Sequence, residues 1–247
     1  MIRTLLALVL ISLLRADEHP LTAEYREIMN AGLDDAIQKY GELIASDPKS
    51  VESYSMRGDA LFKRGQFAKA VADYEKMVEL DEKLDAGHWR RGIAYFYAGQ
   101  YAKAARQFEV YHSFDDVDRE NGIWRYFSQA KASGLDKARV GLLKYVKDDR
   151  EPFPALYQLF EGKITPEKIL EQVKAAKISD DDRTTRLFYA HLYIGLNSAV
   201  ENRPEEALKY LREAVANKWA PDGGFGPSYM WHVGRVHYEE LARPKKK

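Results

Sequence analysis

The sequence predicts an all-α protein: a right-handed superhelical stack of antiparallel helix pairs, an α-solenoid. Laying the chain over itself with a shift of 34 residues brings Gly58 onto Gly92 and Gly65 onto Gly99. The same shift aligns Ala36 with Ala70 and Ala104, Tyr40 with Tyr74 and Phe108, and Leu33 with Phe67 and Tyr101. Self-similarity at such a period marks units that bury their apolar faces only against their neighbours. No run alternates apolar and polar residues between turn dipeptides, so strands are not predicted. With 45% hydrophobic residues, a 247-residue chain can bury a core without the disulfides that its lack of cysteine forbids.

Residues 1–16 stand apart from the stack. Arg3 gives a positive start, Leu5–Leu14 is an apolar run broken only by Ser12, and Ala16 precedes the polar Asp17-Glu18-His19-Pro20. This is the layout of a signal peptide cleaved near Ala16. An apolar run of this length spans roughly half a bilayer's hydrocarbon core, so no stable membrane insertion is expected after cleavage. A periplasmic or secreted location is predicted, and the absence of cysteine and of any Asn-X-Ser/Thr acceptor suits a bacterial envelope. If residues 1–16 are instead a helix of the fold, the chain reads as a cytosolic, co-chaperone-like adaptor.

The repeats follow, over residues 17–118. Gly58 and Gly92 fall within first helices, where glycine costs about 1 kcal/mol relative to alanine and must be repaid by close packing. Gly65 and Gly99 end those helices, where positive φ closes the terminus. Ala70 and Ala104 keep each second helix near its first, and Tyr74 and Phe108 fill the space between units. Pro48 stops the second helix of the earliest unit. The stretches Ser55-Met56-Arg57-Gly58 through Tyr74 and Trp89-Arg90-Arg91-Gly92 through Phe108 resemble members of the tetratricopeptide repeat family. The unit over about 20–50 has a good second helix and a degenerate first.

Beyond residue 118 the period weakens, and residues 119–247 read as degenerate helix pairs of the same kind. Trp124–Ser133 pairs with Leu135–Tyr145 across Gly134. Phe153–Gly162 pairs with Pro166–Lys177, whose start has Thr165 as N-cap and proline in the first turn. A third pair spans about Arg183–Val200 and Pro204–Asn217. A last helix, about Ser228–Leu241, is expected to cap the open end of the stack.

The stretch Ala155-Leu156-Tyr157-Gln158-Leu159-Phe160-Glu161-Gly162, followed by Leu170-Glu171-Gln172-Val173-Lys174, is similar to a helix pair of NlpI-type envelope proteins. Phe188-Tyr189 and the run from Ala207 to Asn217 extend that resemblance. It implies a periplasmic adaptor that holds cell-wall hydrolases and a processing protease. The family's type member is anchored through a lipidated cysteine, which this chain lacks, so the resemblance implies a soluble form.

Catalytic and metal-binding patterns are absent from the sequence. His232 and His237 are too far around a helix to share a metal. Asp116-Val117-Asp118-Arg119-Glu120 begins like a calcium loop, but Gly122 comes one place late and Phe127 stands where the bidentate glutamate belongs. Asp180-Asp181-Asp182 reads as a charged helix start. Gly223-Gly224-Phe225-Gly226 precedes a helix without a phosphate-loop pattern. With 38 basic against 38 acidic side chains, nucleic-acid binding is not expected. No enzyme, cofactor or metal is predicted.

What remains is surface. First helices line the concave side of such a stack, where partner segments bind. By helical phase, Ser55, Asp59, Phe62 and Lys63, then Trp89, Arg90, Ile93, Phe96 and Tyr97, project there. Phe62, Lys63, Trp89, Arg90, Ile93, Phe96 and Tyr97 form the expected partner-binding patch for a protein or peptide. Ser55 and Asp59 stand where carboxylate-gripping adaptors carry Lys and Asn, which disfavours that mode. The competing reading is that Trp89 and Phe96 pack against a neighbouring or swapped helix. A homodimer is compatible with the sequence.

Overall fold

The structure is a computed structural model that describes residues 19–147 and 150–243. Residues 1–16, read as a signal peptide, and the Lys245–Lys247 tail lie outside the described residues. Among the described residues there are helices and no strands, as the repeat pattern requires.

The first helix, α1, runs Ala23–Ser46 from Thr22, whose hydroxyl accepts the Tyr25 amide at 3.1 Å. The stretch 20–50 therefore holds a single continuous helix, Ala23–Ser46, and not the helix pair expected there. No proline interrupts the run, and Gly32 sits in open space with nothing within 4 Å of where its Cβ would be. The next two units are antiparallel pairs: α2 (Val51–Lys63) with α3 (Phe67–Leu80), and α4 (Trp89–Tyr97) with α5 (Tyr101–Phe114). Gly65 and Gly99 take φ of 74° and 73° at the two turns, so the left-handed conformation assigned to them is present.

The glycines inside the first helices are steric necessities. A Cβ on Gly58 would lie 2.7 Å from the Tyr74 ring, and one on Gly92 would lie 2.6 Å from the Phe108 ring. Tyr74, Phe108, Ala70 and Ala104 are all fully buried. Each pair is thus closed by an aromatic ring packed against a bare stretch of helix backbone. The Arg57 guanidinium adds a bidentate bond to Asp73, at 2.8 and 2.7 Å, which ties α2 to α3.

Five further long or short helices continue the stack: α6 (Arg119–Ser133), α7 (Leu135–Val140), α8 (Phe153–Phe160), α9 (Pro166–Ala175) and α10 (Asp180–Val200). Then come α11 (Pro204–Ala216) and α12 (Phe225–Ala242). α7 stops five residues short of the expected Tyr145, because Gly141 ends it and its carbonyl is taken by Arg125 Nη1 at 2.6 Å. α10 begins three residues earlier than expected, where the Ser179 hydroxyl accepts the Asp182 amide at 3.1 Å. Asp180, Asp181 and Asp182 fill its first turn, where acidic side chains complement the helix dipole.

The departure with most consequence is α12. It packs on α11, where Trp231 Nε1 donates to the Val215 carbonyl at 3.0 Å. It does not stop at that end of the stack. Its other face runs into the concave interior and reaches α2 and α4.

Two glycine substitutions test the packing. Gly92→Ala is expected to lose about 1–3 kcal/mol of stability, because the added methyl group meets Phe108. Gly32→Ala, in open helix, should gain up to about 1 kcal/mol. Urea midpoints that move in the same direction for both would contradict this account of the repeat.

Candidate functional site

The side chains expected to line the concave face do point inward, and α12 meets them there. Phe62 is fully buried, with the Tyr229 ring stacked on it at 5.1 Å and 19°. Trp89 stands edge-on to Tyr229 at 5.0 Å. The Tyr97 hydroxyl lies 3.0 Å from His237 Nδ1 and 3.4 Å from the Val233 carbonyl. Arg235, only 1% exposed, bonds both carboxylate oxygens of Glu239 at 2.9 Å and donates to the Lys63 carbonyl. Ile93 and Phe96 are buried as well, Phe96 against Trp124 with ring centres 5.6 Å apart.

The polar members of the patch serve the same seam. Buried Asp59 accepts from the Tyr74 hydroxyl and from Arg90 Nη1, both at 2.6 Å. Arg90 also reaches the Ser55 hydroxyl at 3.1 Å and lies over the Phe225 ring at 5.2 Å. The Tyr74 and Tyr229 hydroxyls are 3.3 Å apart, and burial pushes both far above the ordinary phenol range. Lys63 is pulled below its usual value, chiefly by burial.

Phe62, Lys63, Trp89, Arg90, Ile93, Phe96 and Tyr97 are the expected partner-binding patch, and the chain's own helix α12 packs against it. The reason is in residues 229–238, which are apolar on more than one face and so must be covered on more than one face. Tyr229, Met230, Trp231, Val233, Val236 and Tyr238 are all buried. Burying each such side chain is worth about 1.5–3 kcal/mol, so α12 is a core helix and not a displaceable ligand.

One part of the inner face stays accessible. A cavity of about 360 Å³ lies where α4, α5, α6 and α10 face the start of α12. Trp89, Ile93, Phe108, Tyr111, Trp124, Tyr189 and Met230 supply an aromatic and apolar wall, and Gly226-Pro227 leaves it bare on the α12 side. Asp118, Glu120, Asn121 and Arg150 supply the polar part. Asp118 caps α6 by accepting the Glu120 amide at 2.9 Å. Arg150 Nη1 lies 3.5 Å from Asp118, its Nη2 bonds Glu120, and the Tyr193 hydroxyl donates to the same Glu120 carboxylate. The Arg150 guanidinium also sits 4.3 Å over the Phe153 ring and 5.5 Å from that of Tyr189.

Residues 58–99 match the family model of the TPR repeat. The match runs from Gly58 in α2 to Gly99 after α4, and takes in the Gly58–Tyr74 contact and Gly92. TPR repeats generally mediate protein–protein interaction, and proteins built from them are generally non-catalytic scaffolds. No curated protein matches the chain. The cavity lies next to this TPR segment and shares Trp89 and Ile93 with it. Sequence reasoning placed those two residues on the inner face but missed Glu120, Arg150 and Tyr189. In the sequence Asp118 and Glu120 stand out only within a run that begins like a calcium loop, and Arg150 carries no periodic signal. Among the described residues no three His, Asp or Glu side chains are placed to hold a metal ion, and no helix is long and apolar enough to cross a membrane.

Two measurements check the α12 seam. Tyr229→Ala is expected to cost about 3–5 kcal/mol, while Phe225→Ala, at 58% exposure, should cost far less. Comparable melting temperatures for the two variants would show that α12 does not hold the inner face. The second check is pH. Burial, reinforced by Lys131, holds His237 down at about 4. An unfolded histidine titrates near 6.5, so as pH falls from there the unfolded chain takes up protons first. The contribution of neutral His237 is therefore complete above about pH 6.5 and is lost as pH drops towards 4. His237→Gln should flatten the fall in melting temperature across that window, and an unchanged slope would remove His237 from the seam.

Proposed function

We propose that the protein is an exported, non-catalytic TPR adaptor that holds a segment of a partner protein in the cavity between α4, α5, α6, α10 and the start of α12. The observation that carries this reading is the cavity itself. It is a stretch of inner face that α12 borders without filling, its wall is rich in the aromatic residues that dominate interface energetics, and its volume is of the size that binding pockets have. The polar edge formed by Asp118, Glu120 and Arg150 fixes orientation, as a few placed charges do in an otherwise apolar pocket. Export rests on the layout of residues 1–16, and the resemblance of the C-terminal half to NlpI-type proteins supports cell-envelope hydrolases or proteases as partners.

Site-specific photocrosslinking tests the location of binding. A benzoylphenylalanine at Tyr111, which lines the cavity, is expected to crosslink an envelope protein that copurifies with the full chain. The same group at Val140, 90% exposed on a different helix, should not. Capture at Val140 in preference to Tyr111 would move binding away from the cavity. N-terminal sequencing of the mature protein is expected to start near Asp17, and an intact Met1 would end the export reading.

A further inference from the structure

Resting on that reading, we propose that the cavity takes an uncharged aromatic side chain of the partner, whose apolar neighbours lie on Phe114 and Phe225 at the cavity's edges. The exposed phenylalanines mark the place. Of ten in the chain, eight are buried, and only Phe114 and Phe225 stand out, at 67% and 58% exposure. Both touch the cavity wall: Phe114 lies edge-on to Tyr111 at 5.5 Å, and Phe225 edge-on to Trp89 at 6.2 Å. They come from different elements, the end of α5 and the start of α12, so one helix face does not explain them. Apolar side chains scattered singly on a surface are ordinary, but a wall of rings continued outwards by two more marks a contact surface.

Size and charge choose the occupant. A cavity of about 150 Å³ holds a benzene ring. This one is about 360 Å³, so an indole or phenol ring fits with room for the adjoining backbone. A leucine there would leave space unfilled and contacts unmade. Trp89, Phe108, Tyr111, Trp124 and Tyr189 reach the cavity from four helices, so an incoming ring finds ring partners on more than one side. The charges on the wall are already engaged within the protein: Arg150 bonds Glu120 and lies 3.5 Å from Asp118, Asp118 caps α6, and Glu120 accepts from Tyr193. The Arg90 guanidinium over Phe225 is likewise held by Asp59, at 2.6 Å. A charged ligand would have to break into these sets, whereas a neutral ring leaves them intact.

The test uses the full chain and three short labelled peptides of leucine and serine that differ only in a central tryptophan, leucine or arginine. Fluorescence anisotropy is expected to show the tryptophan peptide binding about tenfold tighter than the leucine peptide, and the arginine peptide weaker still. Gly226 supplies a blocking variant. It lines the cavity with nothing within 4 Å of where its Cβ would be, so Gly226→Leu fills that space without meeting a neighbouring element. This variant should lose about tenfold or more in affinity for the tryptophan peptide, circular dichroism confirming its fold. Phe114→Ala and Phe225→Ala should each weaken the tryptophan peptide severalfold. Leucine or arginine binding as tightly as tryptophan overturns the aromatic subsite and leaves the adaptor reading standing. Undiminished tryptophan binding to Gly226→Leu overturns it too, because the peptide then sits elsewhere. Should Gly226→Leu not fold, the two phenylalanine variants decide alone, and no loss on either overturns the proposal. If no peptide binds, the subsite is also overturned, and crosslinking at Tyr111 then judges the adaptor reading separately.

Discussion

Tyr229 holds together what the repeats alone would leave apart. Its ring lies flat on Phe62 of one unit, meets Trp89 of the next, and its hydroxyl stands beside that of Tyr74, which is bonded to Asp59. Asp59 in turn takes the Arg90 guanidinium, so a single aromatic side chain on the last helix organises a buried polar chain running through both repeats. Each member of that chain is satisfied by the next, which is what makes a buried carboxylate tolerable there. Without α12, Phe62 would face water and Asp59 would keep its partners without the cover that strengthens their bonds.

The stack therefore rests on two kinds of contact that differ in range. Within a pair, contact is local: Tyr74 lies against Gly58 and Phe108 against Gly92, each 16 residues along the chain. Across the concave face, contact is distant, because Tyr74 and Tyr229 are 155 residues apart in sequence. A linear array of repeats has only the first kind, and its stability is a sum over neighbours. Here the second kind joins the ends, so the described residues gain a shared core that no single repeat could build.

How much of this could be read from the chain follows the same division. The 34-residue period made the local contacts legible, down to which glycines face rings and which take positive φ, because those demands recur at fixed spacing. The inner-face residues were also legible by phase, since Phe62, Trp89 and Ile93 had to point one way along their helices. The covering helix was not, because nothing periodic links residue 229 to residue 62. The clue was compositional: Tyr-Met-Trp-His-Val-Gly-Arg-Val-His-Tyr is too apolar all round for an end cap. The polar edge of the cavity escaped for a different reason. Arg150 lies in no helix, a little before α8, so no helical phase aims it at Asp118 and Glu120.

Closure by the last helix also sets an order of events for a chain made from its N-terminus. Residues 51–114 come off the ribosome well before α12, so Phe62, Trp89 and Tyr97 stay without their cover until residues 225–242 have been made. For that interval a row of aromatic side chains is presented to its surroundings as an adhesive strip, at the stage when transient apolar exposure favours misassembly. A chain cut short before α12 would keep its repeats and never lose that strip.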